Sequence, residues 1–498
     1  MSRVASDATP GADRATGEAA TLTRRGLLTV AFVLLLVVGL ALPHAAAPDL
    51  GPRGWAPGTI LPITLTPAAV TATLWTAYAL GAAGVVLALR QGMRALSTPV
   101  VGGLALAAAL TTPFGSADHV NYAAYGRILA LGDDPWLVSP VSWRGDADPV
   151  VSAVESPWRE EPSVYGPFAT LLHGLGSLVG GDNLRETVWL WQLVVIASWL
   201  AVRWCLRRLL PGHEGRVDAL WTANPLVFAT GVLGAHVDML AAAFVVGAVW
   251  AVQRYAGVGG AVLAGTFGGL ALSSKFTYAV VLLAILLALR SRRVARGAVM
   301  IGVAALVAGV LHLWAGPHVF DQVGRSAKAV ALSSPWRMLL EVGGGGPTVR
   351  SVISVLAALA AVGFAVCLAR LTTPRGDGEG ARALRWVVVL GGGYALAAAY
   401  SLPWYDVLVW SALPAVVSGV GVARVGLVEL ALLARLTVMS FAYTPGRVLG
   451  MTPGVEAVTM TVRKEVAPVL LLAVWAGVVV AALRARPRAP GVPNRPIG

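Results

Sequence analysis

Long apolar runs recur along most of this chain, and they constrain its fold more than any other feature. A helix needs roughly 20 apolar residues to cross the hydrocarbon of a bilayer. The candidate spans are 26–47, 65–89, 98–114, 186–209, 217–234, 237–252, 256–273, 276–290, 297–315, 349–371, 384–402, 405–422, 425–443 and 466–484. Several are short enough to be tilted, broken or re-entrant. We therefore expect an all-α integral membrane protein with about 11–14 transmembrane helices.

The composition excludes a water-soluble enzyme. Of the 498 residues 57% are hydrophobic and 13% are charged, whereas a soluble domain typically carries about 25% charged residues. The net charge of +13 alone would favour a nucleic-acid partner, but the apolar content makes membrane lipid the expected partner and excludes nucleic acid. Two cysteines, Cys205 and Cys367, are too few for a disulfide framework or a zinc site.

The stretch 166–180 decides the orientation in the membrane. If it spans the bilayer, Arg203 and the arginine cluster at 290–296 fall on the outer side, against the positive-inside rule. If it lies along the surface, the strong arginine clusters fall inside, with a net charge of about +16 inside and about −4 outside. We choose the second topology, which predicts a multi-pass plasma-membrane protein with both termini cytoplasmic and an outward-facing site.

The polar and apolar segments suggest a simple domain organisation. Residues 1–25 form a polar, disordered cytoplasmic tail, and 26–97 hold two N-terminal spans. Residues 98–484 form one transmembrane catalytic domain, and 485–498 form a second cytoplasmic tail. The longest polar segment is the outer loop 115–185. It holds two predicted interfacial helices, at 118–131 and 163–180.

The first predicted loop helix carries a candidate general base. Asp118, Tyr122 and Tyr125 share one helical face at i, i+4 and i+7. Asp118 lies just beyond the span 98–114, at the edge of the hydrocarbon, where a carboxylate is suited to accept a proton from a hydroxyl group. The structural alternative is an acidic residue that complements the helix dipole.

Polar side chains also stand at short outer turns between spans, where a charged residue is a functional hypothesis by default. His236 and Asp238 are candidates to bind sugar hydroxyls or a metal, or to cap a helical hairpin. Lys275 is suited to a phosphate, or to snorkelling at the interface. Arg325 and Lys328, three residues apart, suit a phosphate or lipid headgroups.

Two further sites are ambiguous. In the turn Leu402–Asp406, Trp404 and Tyr405 either stack on a sugar or isoprenoid or belong to the interfacial aromatic belt. Arg435 lies deep in a span, with Glu429 as a possible partner. It either neutralises a buried phosphate or forms a structural ion pair.

The chain lacks recognisable nucleotide and metal motifs. It has no P-loop and no G-x-G-x-x-G fingerprint in a βαβ context. Asp146 and Asp148 spell D-x-D without the strand context of nucleotide-sugar enzymes, and no cluster has convincing metal-ligand spacing. An activated sugar would therefore come from a lipid carrier, and we expect no cofactor and no metal site, although the need for a metal stays open.

Several of these segments resemble one known family. The residues Asp118, Tyr122–Arg127, Gly132–Trp136 and Tyr165–Pro167 resemble the outer loop of actinobacterial polyprenol-phosphate-mannose-dependent α-1,6-mannosyltransferases, which belong to the GT-C class of membrane glycosyltransferases. The segments Asn224–Pro225, His236–Asp238 and Leu402–Asp406 are also similar. The resemblance covers most of residues 98–415.

The resemblance implies a GT-C type helical bundle with two interfacial helices in a large outer loop. It implies inverting transfer of mannose from polyprenyl-phosphate-mannose to a glycan or lipoglycan acceptor, in α-1,6 linkage, with Asp118 as the catalytic base. Together with the polar turns, it gives the candidate substrate-binding residues His119, Asn121, Tyr122, Tyr125, Arg127, Tyr165, His236, Asp238, Lys275, Arg325, Lys328, Trp404, Tyr405, Asp406 and Arg435.

Two other functions stay open at this point. A flippase or transporter of lipid-linked sugars would use broken helices and charges near the midplane. A polymerase or ligase of surface glycans would have a similar membrane architecture. The sequence leaves the donor sugar, the acceptor, the linkage and the oligomeric state undecided.

Overall fold

The computed structural model describes residues 10–321, 324, 328–419 and 425–485, with side chains described from residue 19 onward. Within these ranges the chain is mostly helical. Its two named strands, Thr372–Pro374 and Val416–Ser418, pair antiparallel and place Thr372 opposite Ser418. The predicted all-α class is confirmed.

Long apolar helices account for most of the predicted spans. Seven described helices are long and apolar enough to cross a membrane: Ala19–Leu40, Pro67–Gln91, Leu184–Leu209, Val237–Arg254, Arg293–Ala315, Pro347–Leu371 and Pro453–Arg484. Shorter apolar helices are Thr98–Leu110, Val258–Ser274 and Phe276–Ala288. The helices Glu379–Ala397 and Leu427–Tyr443 add to the bundle, and the short helix Trp336–Val342 precedes Pro347. A multi-span protein is therefore confirmed, and its exact number of spans stays a prediction.

The apolar run at 217–234 is a broken helix. Its pieces are Glu214–Val217, Asp218–Thr222, Pro225–Val227 and Phe228–Leu233. Pro225 has no backbone N–H group, so it cannot continue the helical segment that ends at Thr222. The side-chain oxygen of the buried Asn224 accepts hydrogen bonds from the backbone of Leu226 and Val227 and so caps the new helix.

The run at 405–422 is also interrupted, so one continuous helix does not form there. The chain passes through the short turns Pro403–Asp406, Val407–Trp410 and Leu413–Ala415 before it enters the second strand. Most residues of this stretch are buried. Irregular backbone at membrane depth is tolerated where protein encloses it.

Two helices form the body of the large loop, as predicted. They span Asp118–Ala130 and Pro167–Gly180, and we call them the first and second loop helices. They cross closely at Gly126, where a Cβ atom would lie 2.4 Å from the carbonyl carbon of His173. The second loop helix begins four residues later than predicted because Pro167 occupies its first turn. Between the two loop helices the chain forms the short turns Pro140–Asp146, Val151–Ala153 and Trp158–Glu160.

Ion pairs at one end of the helical bundle distinguish it from the end that holds the loop helices. Arg203 pairs with Asp218 near the end of the helix Leu184–Leu209, whose first turn instead accepts the backbone N–H of Trp55, in the connection 41–66, through Glu186. Arg216–Glu429 and Arg296–Glu379 are also ion pairs. We call the end that holds these three arginines the arginine end. The apolar core, with the fully buried Trp199, Trp221 and Trp410, lies between it and the loop helices.

Candidate functional site

The fold brings Asp118 against His236, although the two residues are far apart in sequence. Asp118 opens the first loop helix, directly after Ser116 and Ala117. Its Oδ2 atom lies 3.4 Å from Nδ1 of His236. The Asp118 side chain is 13% exposed and that of His236 is 1% exposed. The carboxylate is therefore slightly accessible, whereas the imidazole ring is enclosed.

Three neighbours fix the orientation of the His236 ring. The ring stacks on Trp404, with 3.7 Å between ring centroids and 12° between planes. Nε2 lies 3.3 Å from the hydroxyl of Ser116. Nδ1 therefore faces the Asp118 carboxylate, and Nε2 faces the Ser116 hydroxyl. We call Asp118 and His236 the acid–imidazole pair.

A second ion pair stands two residues further along the chain. Nζ of Lys275 donates to both carboxylate oxygens of Asp238, at 2.7 and 2.8 Å, and the Tyr278 hydroxyl donates to Oδ1 at 3.0 Å. Nζ also lies 3.6 Å from the centroid of the Tyr405 ring. Asp238 is fully buried, whereas the Lys275 side chain is 17% exposed. The ammonium group is therefore held in place by buried partners, and part of the Lys275 side chain is accessible.

Two tyrosines of the loop pack beside the acid–imidazole pair. The Tyr122 hydroxyl lies 3.5 Å from Nδ1 of His236 and accepts the backbone N–H of Val237 at 3.4 Å. Tyr165 packs edge-on against Tyr122, with 4.7 Å between ring centroids. Burial, and next the charge of Asp118, raise the pKa of Tyr122 and of Tyr165 well above its ordinary value. Both phenols therefore stay protonated near neutral pH.

Arg435 pairs with Asp406, and not with Glu429 as the sequence suggested. Its Nε donates to Oδ1 of Asp406 at 3.0 Å, and its Nη2 donates to the Ser401 hydroxyl at 2.7 Å. Glu429 instead accepts from Arg216 at the arginine end. The side chains of Arg435 and Asp406 are 3% and 1% exposed, so this ion pair is enclosed.

Two candidate residues have partners inside the loop. Arg127 forms ion pairs with Asp148, at 3.0 Å, and with Asp182. The Tyr125 hydroxyl donates to the carbonyl oxygen of Glu161 at 2.9 Å. Asp148 also accepts two backbone N–H groups, so the D-x-D segment builds the loop. These contacts stabilise the loop, and a contact of Arg127 or Tyr125 with substrate stays a prediction.

His119 and Asn121 lie on the buried side of the first loop helix. Their side-chain polar atoms, and both ring nitrogens of His173, have no hydrogen-bond partner among the described residues. The two histidines line a small cavity of about 10 Å³ beside Tyr122. Burial lowers the pKa of His119 to about 3, and that of His173 to about 3. Both imidazoles are therefore neutral at physiological pH.

The remaining candidates are only partly accounted for. Lys328 is exposed, and Arg325 lies outside the described residues. Sequence reasoning missed Ser116, Tyr278 and Ser401. Tyr278 follows Lys275 by three residues in the same turn, and Ser401 directly precedes the turn that holds Trp404, so both positions carried a usable signal.

The described residues offer little to a metal ion. Among them no group of three or more histidine, cysteine, aspartate or glutamate side chains comes together at metal-binding distances. Both oxygens of Asp238 are engaged by Lys275. The site combines one partly accessible carboxylate, Asp118, with one ammonium group, Lys275, which suits proton transfer beside an anionic group.

Residues 8–291, more than half of the chain, match the family model described as alpha-(1->6)-mannopyranosyltransferase, N-terminal domain. The chain is 34% identical over 135 residues to a probable alpha-(1->6)-mannopyranosyltransferase of Mycolicibacterium smegmatis, covering 26% of this chain and 24% of that protein. It is 35% identical over 135 residues to an alpha-(1->6)-mannopyranosyltransferase of Mycobacterium tuberculosis, covering 26% and 23%. The aligned part thus spans about a quarter of the length of these curated relatives.

Among solved structures, ArnT from Cupriavidus metallidurans bound to undecaprenyl phosphate is similar at 15% sequence identity. The alignment covers 77% of this chain and 76% of that chain, with a TM-score of 0.39. The apo state of the same protein aligns at 16% identity over 83% of this chain and 76% of that chain, with a TM-score of 0.36.

Proposed function

This chain belongs to the alpha-(1->6)-mannopyranosyltransferase family, and from that premise we propose that it is a membrane-bound, GT-C type mannosyltransferase. The family match confirms the resemblance carried by the loop and turn motifs. In the proposed reaction, a mannosyl group moves from polyprenyl-phosphate-mannose to a hydroxyl group of a glycan or lipoglycan acceptor. The product is an α-1,6 linkage formed with inversion.

The acid–imidazole pair is the observation that carries this proposal. Inverting transfer needs one base beside the acceptor hydroxyl. Asp118 takes the hydroxyl proton as the acceptor oxygen bonds to the anomeric carbon. The bond between that carbon and the phosphate oxygen breaks at the same time, and the polyprenyl phosphate leaves with the electron pair. His236 lies against Asp118, with Nδ1 3.4 Å from Oδ2, and would so keep the carboxylate oriented.

Cationic groups would stabilise the leaving phosphate. Lys275 presents its ammonium group beside the acid–imidazole pair, held by Asp238 and by the Tyr405 ring. A positive group fixed before the reaction lowers the cost of the charge that develops on the leaving oxygen. Arg325 and Lys328 remain further candidates for the same phosphate.

The distribution of charge supports an outward-facing site in a plasma-membrane protein. The ion-paired Arg203, Arg216 and Arg296 lie at the arginine end, away from Asp118. Cytoplasmic ends of membrane proteins carry an excess of arginine and lysine. We infer that the arginine end and both termini are cytoplasmic. A lipid-linked donor would then keep its chain in the bilayer and its phosphate at the level of Lys275.

The broken segments at 217–234 and 405–418 favour one second candidate. Discontinuous helices are also typical of transporters, so a flippase of lipid-linked sugars is the alternative. It predicts movement of the donor across the bilayer without formation of a glycosidic bond. A surface-glycan polymerase or ligase predicts instead the joining of whole glycan chains.

The deciding experiment uses the full-length purified protein in liposomes. The liposomes contain polyprenyl-phosphate-mannose with labelled mannose, and a short α-mannoside acceptor is supplied outside. We expect the label to appear in a lengthened acceptor that carries a new α-1,6 bond, and protein-free liposomes to give none. Label that crosses the bilayer unchanged would support the flippase. En bloc joining of glycans would support the ligase, and either outcome contradicts the proposal.

A further inference from the structure

One buried arginine holds both ends of a turn that enters the site. Arg435 lies in the helix Leu427–Tyr443 and is 2% exposed. Its guanidinium group binds Ser401 through Nη2 and Asp406 through Nε, at 2.7 and 3.0 Å. A planar guanidinium fork can hold two acceptors at fixed positions, which a lysine ammonium group does less well. The turn 401–406 is therefore anchored at its first and last residues.

The two aromatic residues between these anchors contact the acid–imidazole pair and the Lys275–Asp238 ion pair. Trp404 stacks on His236 at 3.7 Å, and Tyr405 places its ring 3.6 Å from Nζ of Lys275. A shift of the turn would therefore disturb the His236 ring beside the proposed base, whereas both oxygens of Asp238 would still hold Lys275.

The charge of Arg435 is already compensated within the fold. Asp406 is 1% exposed, and its second oxygen has no hydrogen-bond partner among the described residues. Removing Arg435 would leave a buried carboxylate without its counter-charge, which is strongly unfavourable. Arg435 therefore neutralises the buried Asp406 carboxylate. This argues against Arg435 as a ligand of the substrate phosphate.

We propose that Arg435 is a positioning residue, which acts through Asp406 and Ser401 to hold Trp404 against His236 and Tyr405 against Lys275. The proposal rests on the proposed mannosyl transfer and deepens it. A positioning role and direct phosphate binding by Arg435 predict changes in different kinetic constants. A positioning defect lowers kcat, whereas loss of a phosphate ligand raises the KM for the lipid donor.

A double-mutant cycle separates these roles. The variants are Arg435→Gln, Asp406→Asn and the combination of both. We expect each single variant to lower kcat by about 30-fold or more with the donor KM little changed, and the double variant to be no worse than the poorer single variant. Losses that multiply, or that appear in the donor KM, would overturn the proposal.

Two conservative variants extend the cycle. Arg435→Lys keeps the positive charge, but a lysine ammonium group cannot hold Ser401 and Asp406 as a guanidinium group does. Its kcat is therefore expected to be as low as that of Arg435→Gln. A phosphate ligand would instead be partly rescued by lysine. Ser401→Ala keeps both charges and removes one anchor, and it is expected to lower kcat by a smaller factor. If Arg435→Gln does not fold, this variant alone tests the proposal, and an unchanged kcat in it would contradict it.

The Arg203–Asp218 ion pair provides the matched control. It is also largely buried but lies at the arginine end. Arg203→Gln with Asp218→Asn is expected to leave kcat unchanged in protein that accumulates normally. An equal loss of kcat in this control would mean that any buried ion pair has the same effect, and would overturn the proposal.

Hydrogen–deuterium exchange tests the positioning role without any activity measurement. In Arg435→Gln, or in Ser401→Ala, we expect the backbone amides of 401–406 to exchange about tenfold faster or more than in the wild type, while those of 98–110 do not change. Unchanged exchange at 401–406 would overturn this inference even if the wild-type protein transfers mannose. Absence of transfer by the wild-type protein would overturn the proposed function instead, so the two failures are distinguishable.

Discussion

His236 is placed to act on another side chain. It is almost fully buried among Ser116, Trp404 and Asp118, and we propose that it orients the Asp118 carboxylate. Enzymes commonly fix a general base through a second group in this way, because a misplaced base loses most of its rate advantage.

Replacement of His236 by alanine should therefore slow the chemical step. We expect kcat to fall by roughly 10²–10³-fold, with the KM for the lipid donor close to that of the wild type, because general-base catalysis contributes a factor of this order. Steady-state kinetics in liposomes measures both constants. His213→Ala, at the arginine end, is the control and should behave as the wild type. A rise in donor KM alone would instead make His236 a substrate ligand.

The buried His119 and His173 should make the fold sensitive to acid. Their pKa values of about 3 lie below the ordinary 6.5, so the unfolded chain takes up protons first as the pH falls. Stability is therefore present above pH 6.5 and is lost between pH 6.5 and about 3. From pH 7 to pH 5 each histidine should cost about 2 kcal/mol.

Thermal unfolding in detergent at pH 7 and pH 5 tests this sensitivity. The wild-type Tm should fall at pH 5, and His119→Gln or His173→Gln should each reduce that fall by about half. An equal fall in the wild type and both variants would show that other groups cause it.

Single residues were the easiest part of the site to predict, and their partners were the hardest. A charged side chain at an outer turn is unusual in so apolar a chain, which is why Asp118, His236 and Lys275 stood out. Partners depend on the packing of distant segments. One error was avoidable, because Glu429 and Arg435 are six residues apart and do not share a helical face.

At the scale of elements, the site depends on how closely the two loop helices cross. Gly126 leaves no space for a side chain, because a Cβ atom there would lie 2.4 and 2.5 Å from the backbone carbonyl of His173. The first loop helix carries Asp118 and Tyr122, so its distance from the second loop helix sets the position of the base.

Gly126→Ala should force the loop helices apart. We expect a loss of stability of about 1–3 kcal/mol from overpacking, together with lower transferase activity. Gly103→Ala is the matched control, since it lies in the helix Thr98–Leu110 with open space at its Cβ position. Alanine there should be neutral or stabilise by up to about 1 kcal/mol. Thermal unfolding of both variants checks the contrast, and equal Tm values would contradict it.

Hydropathy predicted where most helices lie but not where two of them break. The runs at 217–234 and 405–422 each contain a single charged residue, Asp218 and Asp406, so the mean hydropathy of either run resembles that of a continuous span. The breaks follow from local chemistry at Asn224–Pro225 and at Pro403 and Pro414, where a backbone donor is missing. The second loop helix was predicted too long for the same reason, at Pro167.

At the scale of the whole molecule, we infer the orientation in the membrane from the distribution of charge. The arginine clusters of the sequence predicted one basic end, and the structure places two of their members, Arg203 and Arg296, together with Arg216, in buried or half-buried ion pairs away from Asp118. The side of the membrane could be inferred from charge because lysine and arginine govern insertion. The arrangement of residues at the surface of the site could not be inferred from charge, because it depends on three-dimensional packing.

Cysteine labelling tests this orientation. Ser142 lies in an exposed part of the outer loop, and Ser291 is exposed near the arginine end. In a background that lacks Cys205 and Cys367, a membrane-impermeant thiol reagent should label Ser142→Cys in intact cells. It should label Ser291→Cys only after the membrane is opened. The reverse pattern would place the proposed site in the cytoplasm and contradict an outer lipid-linked donor.

The account as a whole depends on one carboxylate, and the most direct measurement replaces it. Asp118→Asn keeps the size of the side chain but removes a base of useful strength. In liposomes with polyprenyl-phosphate-mannose and an α-mannoside acceptor, we expect the wild-type protein to transfer mannose. The same amount of folded Asp118→Asn should transfer none above background. Transfer by the variant at a rate near that of the wild type would contradict the central claim that Asp118 is the base.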